Sequence, residues 1–180
     1  MLRITIPETE YYDERTQTFI TTKQQTLSLE HSLVSISKWE ARWKKPFLSK
    51  DQKTIEETVD YIRCMTLTQN VDPNAYMAIN NDIVQQVSEY IDDPMTATWI
   101  NEDNKRGGGR KVVTSEVIYY WMVALNIPPE YQKWHLNRLL TLIRVCNAEN
   151  SPKKKMSNKD LLAQNRSLNA ARRKSMNSKG

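Results

Sequence analysis

Two strongly apolar segments in the second half of the chain constrain its fold more than any other feature. Val117, Ile118, Tyr119, Tyr120, Trp121, Met122, Val123 and Leu125 form the first. It is hydrophobic around most of a helical circumference, with Thr114 or Ser115 as its cap. Ile127-Pro128-Pro129 makes a sharp link to the second, in which Trp134, Leu136, Leu139, Leu140, Leu142, Ile143, Val145 and Cys146 alternate with His135, Asn137, Arg138 and Arg144. A helix that is apolar on most sides belongs in a core, so the two segments predict a helical hairpin at the centre of the molecule.

The first half of the chain supplies elements that pack on that centre. Leu2, Ile4 and Ile6 alternate with Arg3 and Thr5 and stop at Pro7, which predicts a short edge strand. A polar turn at Asp13-Glu14-Arg15 separates Tyr11-Tyr12 from the run Thr16 to Thr22, which suggests a hairpin. From Ser28 as N-cap, Leu29, Leu33, Ile36 and Trp43 follow a helical period, with Trp39 near the edge of the stripe and Pro46 closing the segment. Thr54 caps the next helix, with Ile55, Val59, Ile62 and Cys64 to Leu67 facing inward and Glu56, Glu57 and Asp60 on the exposed face. Asp72-Pro73 opens a short turn through Tyr76 and Ile79. Asn81 or Asp82 then restarts the chain into Ile83, Val84, Val87 and Ile91.

The expected fold class is therefore mainly α (α+β). It is a helical bundle with a small N-terminal β-hairpin, a Gly-rich hairpin-like excursion near 95–113, and a basic C-terminal helix or tail. Residues 1–27 form the β segment, 28–150 the helical core and 151–180 the basic segment. Three of the four glycines stand together at Gly107-Gly108-Gly109 and the fourth ends the chain, so the body must turn on Asn, Asp and Pro. Beyond Ser151-Pro152, Ser157-Asn158-Lys159-Asp160 matches a capping signal, and Leu161, Leu162 and Leu168 recur among Ala, Asn, Gln and Arg. That stripe is too thin to hold a helix in water without a partner.

Residues able to carry chemistry are scattered. His31 and His135 fall on different expected helices, and Cys64 and Cys146 lie in apolar stretches without a metal-ligand or C-x-x-C partner. Structural histidines and buried reduced thiols are the expectation, with no catalytic residue, metal or cofactor. Lys105, Arg106, Arg110 and Lys111 around the glycines invite a phosphate-loop reading. The spacing refuses it, because Lys111 is followed by Val112-Val113 rather than by Ser or Thr opening a helix. Glu56-Glu57 and Asp92-Asp93 have plainer roles at helix ends. Trp39, Trp43, Trp121 and Trp134 fall at core periodicity, and Trp99 beside the glycines is the candidate for an exposed partner contact.

Charge separates the chain into two parts. The whole carries 26 Lys and Arg against 21 Asp and Glu, a net of +5. From Lys153 to Gly180 there are nine basic residues and one acid, a net of +8, which leaves −3 on residues 1–152. The basic segment suits nonspecific nucleic acid or any acidic surface, but it has no aromatic residue for base stacking. Leu161, Leu162 and Leu168, with Arg172, Arg173 and Lys174, are the candidate protein-binding residues. No apolar run approaches the roughly 18 to 20 residues of a bilayer span, and Met1 to Ile6 lacks the pattern of a signal peptide. The expectation is a protein that stays where it is made, without a membrane partner.

Several blocks resemble a family of small proteins from long-tailed phages and prophages. They include Leu2-Arg3-Ile4-Thr5-Ile6-Pro7, Gln25-Thr26-Leu27-Ser28-Leu29-Glu30-His31-Ser32-Leu33, and Tyr61-Ile62-Arg63-Cys64-Met65-Thr66. Pro94-Met95-Thr96-Ala97-Thr98, Ser115-Glu116-Val117-Ile118-Tyr119-Tyr120-Trp121-Met122 and Gln132-Lys133-Trp134-His135-Leu136-Asn137-Arg138-Leu139 belong with them. The family looks like the tail assembly chaperones. The resemblance implies a non-enzymatic protein of the host cytoplasm that holds the tape measure protein soluble, helps recruit tail tube subunits, and is absent from the finished particle. Two rival readings stand beside it. One is a nucleic-acid-binding or DNA-packaging accessory protein that uses the 117–147 hairpin as a helix-turn-helix, although its second helix is crowded with Leu and Ile. The other is a structural tail or connector component. Homo-oligomerisation is expected of the Tyr119-Tyr120-Trp121 helix, which has more apolar surface than one neighbour can cover.

Overall fold

A computed structural model describes residues 1–13, 17–98, 112–150 and 158–176. The turn at 14–16, Trp99 and the glycine-containing excursion at 99–111, and the segments 151–157 and 177–180 lie outside the described residues. The fold is mainly helical with a small N-terminal antiparallel β element, and the chain divides into two compact units, Met1–Asn147 and Ala148–Gly180.

The first unit opens with a two-stranded ribbon. Strand β1 (Leu2–Ile6) pairs antiparallel with β4 (Gln25–Leu29), and β2 (Thr9–Asp13) with β3 (Thr18–Thr22). Partner numbers add to 31 in both pairs, from Leu2 opposite Leu29 to Asp13 opposite Thr18, so this is one register interrupted once. Pro7 explains the interruption, because it has no N–H to give the ladder. Ile4, Ile6, Leu27 and Leu29 are buried at the base, and Tyr12 and Phe19 form an exposed cross-strand pair near the tip.

This ribbon corrects the expected start of the first helix. Thr26 and Ser28 alternate with the buried Leu27 and Leu29 in β4, so the β segment reaches Leu29 instead of ending at 27. Helix α1 (Leu33–Trp43) begins after Ser32, which accepts from the Ser35 amide in a reciprocal capping box. Trp39, expected at the edge of the stripe, is fully buried and donates from Nε1 to the Glu57 carbonyl at 2.9 Å.

Helix α2 (Ile55–Met65) starts at the expected Thr54 cap, but its inward face is rotated. Glu57 and Asp60 are buried, whereas Ile55 is 84% exposed and Leu67 lies exposed beyond the helix end. The buried carboxylates are paired across to α1 and the chain that follows it: Lys45 reaches Glu57, Arg42 reaches Asp60, and Trp43 Nε1 donates to Asp60 at 2.9 Å. A 3-10 turn at Pro73–Ala78 follows, capped by Asp72 as expected, and then α3 (Asn81–Asp92), capped by Asn80.

Helix α4 (Ser115–Ala124) buries Ile118 and Met122 and leaves Tyr120 and Val123 exposed. A second 3-10 turn, Pro129–Lys133, leads to α5 (Leu136–Asn150), which buries Leu136, Leu139 and Ile143. The expected hairpin of these two helices is not their main packing. Helix α4 lies chiefly against α1, which also meets α2 and the Pro129–Lys133 turn. Trp134 precedes α5 and leaves the core set, stacking on Tyr131 at 4.1 Å with the Arg138 guanidinium 4.2 Å over its ring.

One carboxylate joins these parts. Glu40 occupies a position on the apolar stripe of α1 and is 8% exposed. Its Oε1 accepts from the Phe47 amide at 2.8 Å, and its Oε2 accepts from the Ser115 amide at 2.8 Å and the Ser115 hydroxyl at 2.5 Å. Thr114 makes no side-chain cap bond, so α4 takes its N-terminal cap from a helix 75 residues earlier in sequence. Left-handed backbone falls on Gln17, Lys44, Asn70, Met95 and Asn126, as a chain so poor in glycine requires.

Glu40→Ala strands three buried donors and is expected to cost about 3 kcal/mol in urea unfolding, whereas Glu40→Gln, which keeps one acceptor, costs about half of that. Lys44 caps α1 at φ 54. Lys44→Gly is expected to raise stability by about 1 kcal/mol in the same measurement, because glycine takes that conformation without strain.

Candidate functional site

The two histidines meet in one buried cluster with Tyr61, Ser35 and Tyr90. His31 lies in the connection between β4 and α1 and not on a helix as expected, and His135 lies just before α5. Folding brings their rings to a 5.1 Å centroid distance. The Leu136 amide donates to the His31 carbonyl at 2.8 Å, and Ser32 bridges to His135, so backbone bonds fix the pair.

Each ring has a partner from a further helix. His31 Nδ1 lies 2.5 Å from the Tyr61 hydroxyl of α2, which also touches Ser35. His135 Nε2 donates to the Tyr90 carbonyl of α3 at 3.0 Å, and Asn137 Nδ2 donates to the carbonyls of Ile91 and Asp93 at 2.8 Å. These bonds satisfy the open carbonyl end of α3, which has no glycine cap. Tyr90 stacks edge-on against His135 and donates its hydroxyl to Glu30 Oε1 at 2.7 Å. His135 Nδ1 is buried and has no partner among the described residues.

The electrostatics follow from enclosure. His31 is 2% exposed and His135 7%. Burial holds His31 down at about 3, with His135 as a second cause. Burial also lowers His135, although the Tyr90 carbonyl, Glu30 and Asp93 pull the other way. Burial pushes the hydroxyls of Tyr61 and Tyr90 up. Neutral rings closed from solvent cannot reach a substrate, so the cluster acts as a joint between the ribbon, α2, α3 and α5.

Among the described residues no group of three or more His, Cys, Asp or Glu is placed to hold a metal ion. Cys64 and Cys146 are free and half-buried, and burial pushes the Cys64 thiol up, away from nucleophilic use. No described helix is long and apolar enough to cross a membrane.

The predicted partner residues other than Trp99 lie on the second unit. Helix α6 (Asn158–Met176) carries Lys159, Arg166, Arg172, Arg173 and Lys174 against Asp160. Every side chain described on it is exposed, with Leu162 at 58% and Leu168 at 49%. Leu161 belongs to the same helix, and Trp99 lies outside the described residues. On the first unit, sequence patterns missed two apolar grooves. One, of about 780 Å³, has Leu48, Val112, Val113, Trp121, Leu140 and Ile143 in its walls and Lys50, Asp51 and Arg144 among its polar residues. The other, of about 440 Å³, lies between α2 and the Pro73–Ala78 turn. No local signal marked the second, because Ile55 fits the apolar stripe that periodicity assigns to the inside. Comparison of the chain with protein-family models, curated proteins and solved structures finds no match in any of the three.

The histidine joint makes stability depend on pH. Both groups are lowered in the folded state, so below the ordinary value of 6.5 the unfolded chain takes up protons that the folded chain refuses. Their contribution is complete above that value and is lost as pH falls below it, for His31 from 6.5 toward about 3. Urea unfolding between pH 7 and 5, above the carboxylate range, should show stability falling by up to about 1.4 kcal/mol per pH unit for each histidine. His31→Gln should flatten the slope, and a flat wild-type curve would show that the rings are accessible to protons.

Proposed function

We propose that this chain is a non-enzymatic binding scaffold whose C-terminal helix captures a protein client. The observation that carries the reading is α6: nineteen residues, exposed at every described side chain, with three leucines and an excess of cations. An isolated helix with so thin an apolar stripe gains little by ordering in water. It gains more on a partner that covers the leucines and offers carboxylates to Arg172, Arg173 and Lys174.

The client is the tape measure protein of a long-tailed phage, and the scaffold keeps that long chain soluble in the host cytoplasm while tail tube subunits assemble. This part of the proposal rests on the resemblance of the blocks from Leu2 to Leu139 to tail assembly chaperones. The enclosure of both histidines supports the non-catalytic part, because the strongest cluster of titratable side chains is committed to holding the body together.

Co-expression with the tape measure protein tests the reading. Deleting the residues after Pro152, or substituting Leu161→Ser with Leu168→Ser, should lower the amount of client recovered with the chain at least about tenfold. Unchanged recovery would remove the helix from the function. A nucleic-acid titration at low and moderate salt forms the second arm, since tight binding with sequence preference would replace the chaperone reading with the DNA-binding one.

A further inference from the structure

We infer that the groove between α2 and the Pro73–Ala78 turn receives α6 of a second copy of this chain. The groove is lined by Ile55, Val59, Tyr76, Met77 and Ile79, and it holds about 440 Å³. Ile55 is 84% exposed and Met77 71%. A single exposed aliphatic side chain is ordinary, but two on one concave apolar surface mark a place for a partner. Ile55 and Val59 stand one turn apart on α2, so the surface accepts aliphatic side chains spaced by whole turns along a helix.

Helix α6 supplies that pattern. Positions 161 and 168 are seven residues apart, which sets both leucines on one stripe about 10 Å apart, and Arg172 follows one turn later. Charge then chooses between the grooves. The larger one includes Lys50 and Arg144 with Asp51, which disfavours a basic helix. In the smaller one Asp60 is paired with Arg42 and the exposed Glu56 stands against the exposed Arg63, so that groove has no excess of cations. Residues 1–152 carry −3 and residues 153–180 carry +8, so attraction between copies favours tail on body over tail on tail.

Because groove and helix are different surfaces, each copy can give one and receive one. Two copies can exchange helices reciprocally, or successive copies can join head to tail. Either way the leucines of α6 are covered until a client competes for them. The inference holds whatever the client is.

Complementation between two full-length variants tests it. Ile55→Lys with Met77→Lys puts cations into the groove, and Leu161→Ser with Leu168→Ser removes the anchors from the helix. The groove substitutions fall on exposed side chains, so the body keeps its fold, which circular dichroism checks. Sedimentation velocity of the wild-type chain from micromolar to submillimolar concentration should show reversible association that weakens as salt rises. Each variant alone should associate at least about tenfold more weakly. An equimolar mixture should recover a dimer, because one variant keeps the helix and the other keeps the groove. A monomeric wild type, a groove variant that associates like wild type, or a mixture that stays monomeric would each overturn the inference. The groove variant should still capture client, so loss of self-association and loss of client binding are read separately.

Discussion

The Glu40 carboxylate is the interaction on which the rest of the body depends. A buried carboxylate is costly unless each oxygen finds donors, and here the donors come from two other parts of the chain, Phe47 after α1 and Ser115 at the start of α4. The arrangement serves both sides. Helix α4 has no cap bond of its own, and its positive end is where an anion is favoured. Fixing α4 on α1 in this way brings Ile118 and Met122 into the core, with Trp39 and Leu33 buried in the same cluster. Apolar burial then supplies the stabilisation, while the carboxylate sets which packing of α4 is adopted.

The same division of labour recurs at the histidine joint. Leu29, Leu136 and Leu139 are buried beside it, yet polar contacts decide how the parts meet. His135 and Asn137 close the carbonyl end of α3, and the Leu136 amide closes on the His31 carbonyl. A chain with glycine free for helix ends would not need these long-range caps. This one places its glycines elsewhere and completes its helix termini with side chains from distant segments.

What the sequence made legible follows from locality. The caps Thr54 and Asp72 were readable because a cap bond spans two or three residues, and β1 was readable from its period of two. The start of α1 was misread because Leu27 and Leu29 satisfy a strand and Leu29 and Leu33 also satisfy a helix. Only the pairing of Leu29 with Leu2 decides between them. Glu57 and Asp60 looked like a solvated face because a carboxylate is buried only where cations reach it, and Lys45 and Arg42 lie on another element. Glu40 did leave a local trace, as an acid on an apolar stripe. The histidine joint left none, since 104 positions separate its two rings.

The candidate site divides along the same line. Leucines and cations of α6 were visible in composition because they lie on one continuous stretch of the chain. The groove that fits it was not, because Val59 and Ile79 come from separate elements and become one surface only after α2 has turned its acids inward. That rotation links the two halves of the molecule's chemistry. With Glu57 and Asp60 facing α1, Ile55 must face solvent, and an exposed isoleucine beside Met77 is the consequence. The buried ion pairs that hold α2 on α1 therefore create the apolar surface that a basic, leucine-bearing helix can cover.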